Sequence, residues 1–174
     1  MLRKIASLII LFLINAPAMA GVYLGASAAY DNIFRASASF QGVGPKLAIG
    51  YSGVTNQWLY LAAELFGSTR GWTNKNHIAN NQSMKPIYSL GVSVLPGYLF
   101  DMQVMGYVRI GTIYTRFDQG NAFRNAYQLG AGLQYNLTCD WSVRGEFDYM
   151  QYNKIKGGGS PRAQEYSVGV VYRI

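Results

Sequence analysis

Cysteine is nearly missing from this chain: Cys139 is the one thiol in 174 residues, so no intrachain disulfide can form. Histidine is as scarce. His77 stands alone in an Asn-rich stretch, and one His with one Cys offers no metal-ligand spacing. Charged residues make up 13% of the chain, and no cofactor-binding motif interrupts it. Long hydrophobic runs are also absent but for Ile5 to Ile14, which excludes a multi-helix membrane protein. That run follows Arg3 and Lys4 and precedes Ala18-Met19-Ala20, the layout of a secretory signal peptide over residues 1–20 with cleavage before Gly21.

What is present is apolar, aromatic and glycine-rich: 50% hydrophobic, 14% aromatic, with 14 Tyr and 20 Gly. Mean hydropathy is nevertheless near zero. An alternating sheet produces that average, because apolar and polar faces cancel. The pattern is plainest at the end of the chain. From Gln164 on, Tyr166, Val168, Val170, Tyr172 and Ile174 alternate with Glu165, Ser167, Gly169, Val171 and Arg173. An apolar face that meets lipid and a polar face that meets a narrow lumen explain both halves. Such a strand closes a barrel by pairing with the first strand of residues 21–174.

Seven more alternating segments precede it. They are Val22–Tyr30, Lys46–Tyr51, Leu59–Phe66, Tyr88–Val94, Val104–Thr115, Tyr127–Leu137 and Trp141–Tyr149. Short turns at Ser52–Asn56, Asp101–Gln103 and Thr138–Asp140 alternate with longer intervals at Asp31–Gly44, Ser68–Lys85, Phe117–Asn125 and Asn153–Ala163. Pro96-Gly97 falls inside an otherwise strand-like run, and a bulge is expected there. Glycine at so many interior positions excludes helices. The fold class is all-β, an eight-stranded antiparallel up-and-down transmembrane β-barrel.

The charges sort by face. Lys46, Arg109, Arg144 and Arg173 fall on the inward faces with Glu64, Glu146, Asp148 and Glu165, four against four. Asp101 and Asp140 lie in short turns; Asp31 and Asp118 lie in long loops. No charge falls on an outward face, as a bilayer requires when mid-membrane Arg or Lys costs about 2–4 kcal/mol. Eight strands leave a bore that side chains fill. Glu64 and Glu146 are expected to pair with Arg109, Arg144 or Lys46 and plug it. The other nine cations, Arg35, Arg70, Lys75, Lys85, Arg116, Arg124, Lys154, Lys156 and Arg162, fall in the long loops or at their edges.

Four stretches carry a family resemblance: Gly21–Ser27 (GVYLGAS), Leu61–Gly67 (LAAELFG), Leu95–Leu99 (LPGYL), and Leu129–Tyr135 (LGAGLQY) through Arg144–Tyr149 (RGEFDY). They resemble the outer-membrane β-barrel family of the OmpA, OmpX and opacity-protein type, over nearly all of Gly21 to Ile174. The resemblance implies the bacterial outer membrane, with short turns in the periplasm and long loops outside. It also implies that the terminal strand, Tyr166, Val168, Val170, Tyr172 and Ile174, is read by the barrel-assembly machinery. Such chains usually end in Phe, and Ile174 keeps the terminus bulky and apolar.

The implied role is structural or surface-interacting and not enzymatic. Two other roles are open to such a barrel. A lipid A-modifying enzyme needs a His set beside Ser and a carboxylate, and His77 lies far in sequence from any strand carrying Ser beside Glu. A small pore needs an open bore. At the extracellular rim the polyanion is lipopolysaccharide, and Arg70, Arg116 and Arg124, flanking strand ends, are the expected phosphate contacts. Outer-membrane lipids and lipopolysaccharide are the expected partners, and nucleic acid is not one for an exported barrel. An extracellular ligand is not specified by these residues.

Overall fold

A computed structural model describes residues 21–35, 38–54, 58–69, 71–74, 86–117, 123–153 and 160–174. Residues 1–20, where a signal peptide is expected, and His77, Arg70, Lys75, Lys85, Asp118, Lys154 and Lys156 lie outside these residues. The strands are β1 (Gly21–Arg35), β2 (Ala38–Val54), β3 (Leu59–Thr69), β4 (Gly71–Asn74), β5 (Pro86–Leu99), β6 (Val104–Phe117), β7 (Phe123–Asn136), β8 (Trp141–Tyr152) and β9 (Arg162–Arg173). All ladders are antiparallel, and β1 pairs with both β2 and β9, so the sheet closes on itself. The nine segments make eight staves, because β4 continues β3 along β2 in the same register.

Closure removes the sheet edge that an isolated strand would expose. The ladder pairs, followed once around the wall from Glu64 through Ser93, Gly111, Gln128, Met150, Ala163, Ile33 and Phe40, return at Asn74. That stagger of ten residues is the shear, and strands tilted about 35–45° follow from it. The final backbone link runs from the Ile174 N–H to the Val22 carbonyl at 2.9 Å.

The alternation seen in the sequence sets the two faces. Leu24, Leu47, Leu65, Val92, Ile110, Leu129, Phe147 and Val168 are exposed on the outside, while Tyr23, Glu64, Tyr107, Arg109, Gln128 and Asp148 are buried within. Aromatic residues gather outside at the short-turn end, where Trp58 stacks on Tyr98 (6.3 Å between centroids) and Trp141 tilts against Tyr172 (4.9 Å).

Several boundaries differ from the sequence expectation. The interval Asp31–Gly44 is a paired hairpin, with β1 reaching Arg35 and β2 starting at Ala38. Above the bilayer an outward face no longer has to be apolar, so the alternation fades while the ladder continues. Asp31 is therefore an inner-wall residue, 5% exposed. Likewise β6 runs to Phe117, β7 starts at Phe123 and β9 starts at Arg162. The register does not slip at Pro96-Gly97: Val94↔Ile110 and Gly97↔Tyr107 belong to one ladder, with two unpaired positions between them. Proline supplies no N–H, so pairing lapses without an inserted residue. The register shift lies at the other end, between Pro86 and Tyr88.

Candidate functional site

The inside of the barrel is built in three storeys. Nearest the short turns, Tyr23, Tyr60, Ala62, Leu95, Met105, Tyr107 and Val171 form one buried cluster. Nearest the long loops, Ile33, Phe66, Ile113, Ala126, Met150, Tyr152 and Ala163 form another. Between them lies a layer of charge.

Glycine makes the storeys possible. A large inward side chain on one strand needs a neighbour without Cβ on the next. A Cβ on Gly50 would lie 2.2 Å from the Tyr23 ring, one on Gly91 2.2 Å from Phe66, and one on Gly132 2.3 Å from Tyr107. Inward glycine is thus the socket that lets an adjacent aromatic lie flat across the bore.

In the charged layer Glu64 sits between two guanidinium groups, 2.7 Å from Arg109 Nη2 and 2.7 Å from Arg144 Nη1. Glu146 takes Arg109 Nη2 at 2.6 Å and Lys46 Nζ at 3.3 Å. Lys46 also reaches Glu165 at 2.8 Å and Asp148 at 3.3 Å. Two tyrosines complete the carboxylates: Tyr23 donates to Glu64 Oε2 at 2.8 Å, and Tyr107 donates to Glu146 Oε1 at 2.5 Å. Arg109 donates to Ser93 Oγ at 2.7 Å, and Arg144 donates twice to Gln134 Oε1 at 3.2 and 3.0 Å. The guanidinium of Arg144 lies over the Tyr23 and Tyr107 rings, and Lys46 and Arg109 lie over Phe66. Burial of these ions is tolerable because each is both paired and hydrogen-bonded. The space left among Lys46, Glu64, Arg109, Arg144 and Glu146 is about 20 Å³, room for about one water molecule.

All five expected lumen residues, Lys46, Glu64, Arg109, Arg144 and Glu146, meet in this layer. The inward charge tally differs from four against four. Arg173 is exposed at the short-turn mouth, and Asp31 joins the buried carboxylates. Among the described residues three buried cations stand against five carboxylates with buried side chains, Glu146 included. Sequence reasoning missed the tyrosine donors Tyr23 and Tyr107; their signal was inward parity opposite a glycine. It also missed the upper cap of Ile113, Met150 and Tyr152.

The rim residues divide differently. Arg116 has the outward parity of Tyr114, and its guanidinium lies 5.9 Å from the centre of the Tyr88 ring. Arg124 has the inward parity of Ala126 and Gln128, at the lumen mouth. Arg162, at the base of β9, is exposed on the same outer face as Tyr166. Inside the mouth, Ser89, Thr115 and Tyr152 form a hydroxyl chain at 2.9 and 3.3 Å. Among the buried serines, Ser167 donates to Glu146 Oε2 at 3.4 Å and Ser93 accepts from Arg109. The terminal residues Tyr166, Val168, Val170, Tyr172 and Ile174 are all exposed on the outer face.

A family model described as outer membrane protein beta-barrel domain matches residues 6–173. Among solved structures, Neisserial surface protein A superposes with a TM-score of 0.66 at 22% identity, covering 90% of this chain and 100% of that one. Ail, the attachment invasion locus protein of Yersinia pestis, in complex with the heparin analogue sucrose octasulfate, gives 0.62 at 15% identity, over 90% and 100%. A major outer membrane protein from Thermus thermophilus gives 0.54 at 14%, again over 90% and 100%. These identities carry the fold and nothing finer. No curated protein matches the chain.

Proposed function

The chain belongs to the outer membrane protein beta-barrel domain family and resides in the bacterial outer membrane, and from that premise we propose that it is a non-enzymatic surface barrel, closed by its charged layer, whose outer rim holds polyanions. Lipopolysaccharide phosphate is the polyanion always present at that rim. The observation that carries this reading is how the cations are divided. Lys46, Arg109 and Arg144 are engaged by carboxylates inside the wall. Arg116 and Arg162 stand on the outer face at the long-loop end. The first group holds the bore shut; the second faces the phosphate level of the outer leaflet. Guanidinium suits phosphate through paired donors in a planar fork.

Support of a weaker kind comes from Ail, whose structure with sucrose octasulfate is of a barrel of like fold holding a sulfated polyanion. The test is co-purification. Changing Arg70, Arg116 and Arg124 together to Ser is expected to weaken lipopolysaccharide retention while folding is unchanged. Arg116→Ser is expected to cost more than Arg124→Ser, because Arg124 turns toward the lumen mouth. Undiminished retention by the triple variant would leave the rim cations with a solvating role.

A further inference from the structure

Of the outward glycines Gly67, Gly106 and Gly145, one leaves an empty position in the outer wall. Side chains on the lipid face normally meet their neighbours, and outward glycines borrow one: Phe100 covers Gly106, where an added Cβ would lie 2.7 Å from the ring. Leu90 covers Gly67 at 3.2 Å in the same way. At Gly145, in the middle of β8, an added Cβ would meet nothing within 4 Å. Its ladder partners are Leu133 on β7 and Val168 on β9. Leu133 and Val168 are 61% and 71% exposed. The result is a notch walled by Leu133 and Val168, with the Phe147–Tyr166 aromatic pair, 5.0 Å between centroids, along its upper side. It opens onto apolar outer wall that takes in Ala28 and Ala131.

From this geometry we infer that the Gly145 notch seats one acyl chain of an outer-leaflet lipopolysaccharide molecule. The notch is continuous with the lipid-facing wall, so its occupant comes from the bilayer. Leu133 and Val168 are two strand spacings apart, about 10 Å between backbones, and side chains narrow the gap further. A helix of about 10–12 Å diameter does not enter it; a hydrocarbon chain does. The leaflet follows from what lies above. The outward residues on β9 run Val168, Tyr166, Gln164, Arg162, with Asn32 beside Gln164 on β1. The wall thus passes from apolar through aromatic to polar and ends on an exposed cation toward the long loops. Val168 to Arg162 is six residues, about 20 Å of strand, and at a tilt of about 35–45° about 15 Å of depth, half of a hydrocarbon core of about 30 Å. An acyl chain of a molecule whose phosphate sits at Arg162 therefore reaches the notch. The inference rests on the rim reading for its ligand class and shares Arg162 with it, and adds the Gly145 notch as a separate surface.

Native mass spectrometry of the folded barrel in mild detergent, titrated with purified lipid A or with phosphatidylglycerol, tests it. Gly145→Leu fills the notch without a backbone clash, and heat-modifiable gel migration confirms that the variant is folded. Lipid A retention is expected to fall about tenfold, the loss of roughly two buried methylenes' worth of contact. Arg162→Gln is expected to reduce it as well. Equal retention by Gly145→Leu and the parent would overturn the inference, whatever Arg116→Ser does. So would Gly145-dependent retention of phosphatidylglycerol as strong as that of lipid A, which would remove the assignment to the outer leaflet. A dimer in the parent that Gly145→Leu abolishes would assign the notch to a second copy of the chain instead. Loss of lipid A in Gly145→Leu with full retention in Arg116→Ser would keep this inference and remove Arg116 from the rim reading.

Discussion

The phenol ring of Tyr23 lies flat on Gly50, with its hydroxyl donating to Glu64 from there. The two residues are direct ladder partners on β1 and β2, so the socket and the side chain that fills it are placed by register. Any Cβ at position 50 would occupy the ring's own space. Gly50→Ala is expected to displace Tyr23, break its bond to Glu64 and destabilise the barrel by about 1–3 kcal/mol, the usual cost of overpacking. Urea unfolding in lipid vesicles measures it. An unchanged midpoint would mean that the ring moves aside freely and the socket is dispensable.

Glu64 is the residue on which the charged layer depends most, since Arg109, Arg144 and Tyr23 all converge on it. Removing it leaves two guanidinium groups buried together. Glu64→Ala is expected to cost about 3–5 kcal/mol, the typical result of breaking a buried pair from one side. Adding Arg144→Met to that variant removes one orphaned charge and is expected to restore part of the loss. The double-mutant cycle separates pairing from packing. Additive effects in the cycle would show that the two residues do not stabilise each other.

How much of this was legible beforehand follows from what each residue has to satisfy. Outward positions such as Leu47, Leu129 and Val168 meet one solvent, hydrocarbon, and period-two alternation reported them directly. Inward positions meet one another, and only the ladder register decides who meets whom. Lys46 reaches Glu165 across 119 positions of sequence, and nothing local to either residue indicates that. Asp31 looked like a loop residue because the hairpin above it is rich in Ser and Gly. The backbone there is still paired, and composition says little about a strand whose outer face has left the bilayer. Arg124 was placed by sequence proximity to a strand end; its parity turns it inward.

The outer face of β9 ends on Tyr172 and Ile174, and Tyr172 packs against Trp141 at the short-turn edge. This strand forms the closing seam with β1, and it is expected to be the segment presented to the assembly machinery. Tyr172→Asp with Ile174→Asp places two carboxylates on the lipid side of that seam. Membrane-embedded protein is expected to vanish, with the chain recovered from the periplasm unfolded. Heat-modifiable migration of membrane fractions distinguishes the outcomes, and normal levels of folded barrel would remove any role for these two side chains in insertion.

A last expectation concerns ions. The charged layer leaves about 20 Å³ among its members, and a hydrated ion needs more room than one water molecule occupies. Above and below that layer the Phe66 and Tyr60 storeys narrow the bore further. The purified barrel is therefore expected to give a flat trace in planar bilayers. Removing Arg109 and Glu146 together, as Ala, deletes one cation and one carboxylate and so opens the bore without orphaning either partner of that pair. Discrete conductance steps are expected in that variant and not in the parent. Steps of similar size in both would mean that ions pass by a route other than this layer, and the closed-barrel reading would be lost.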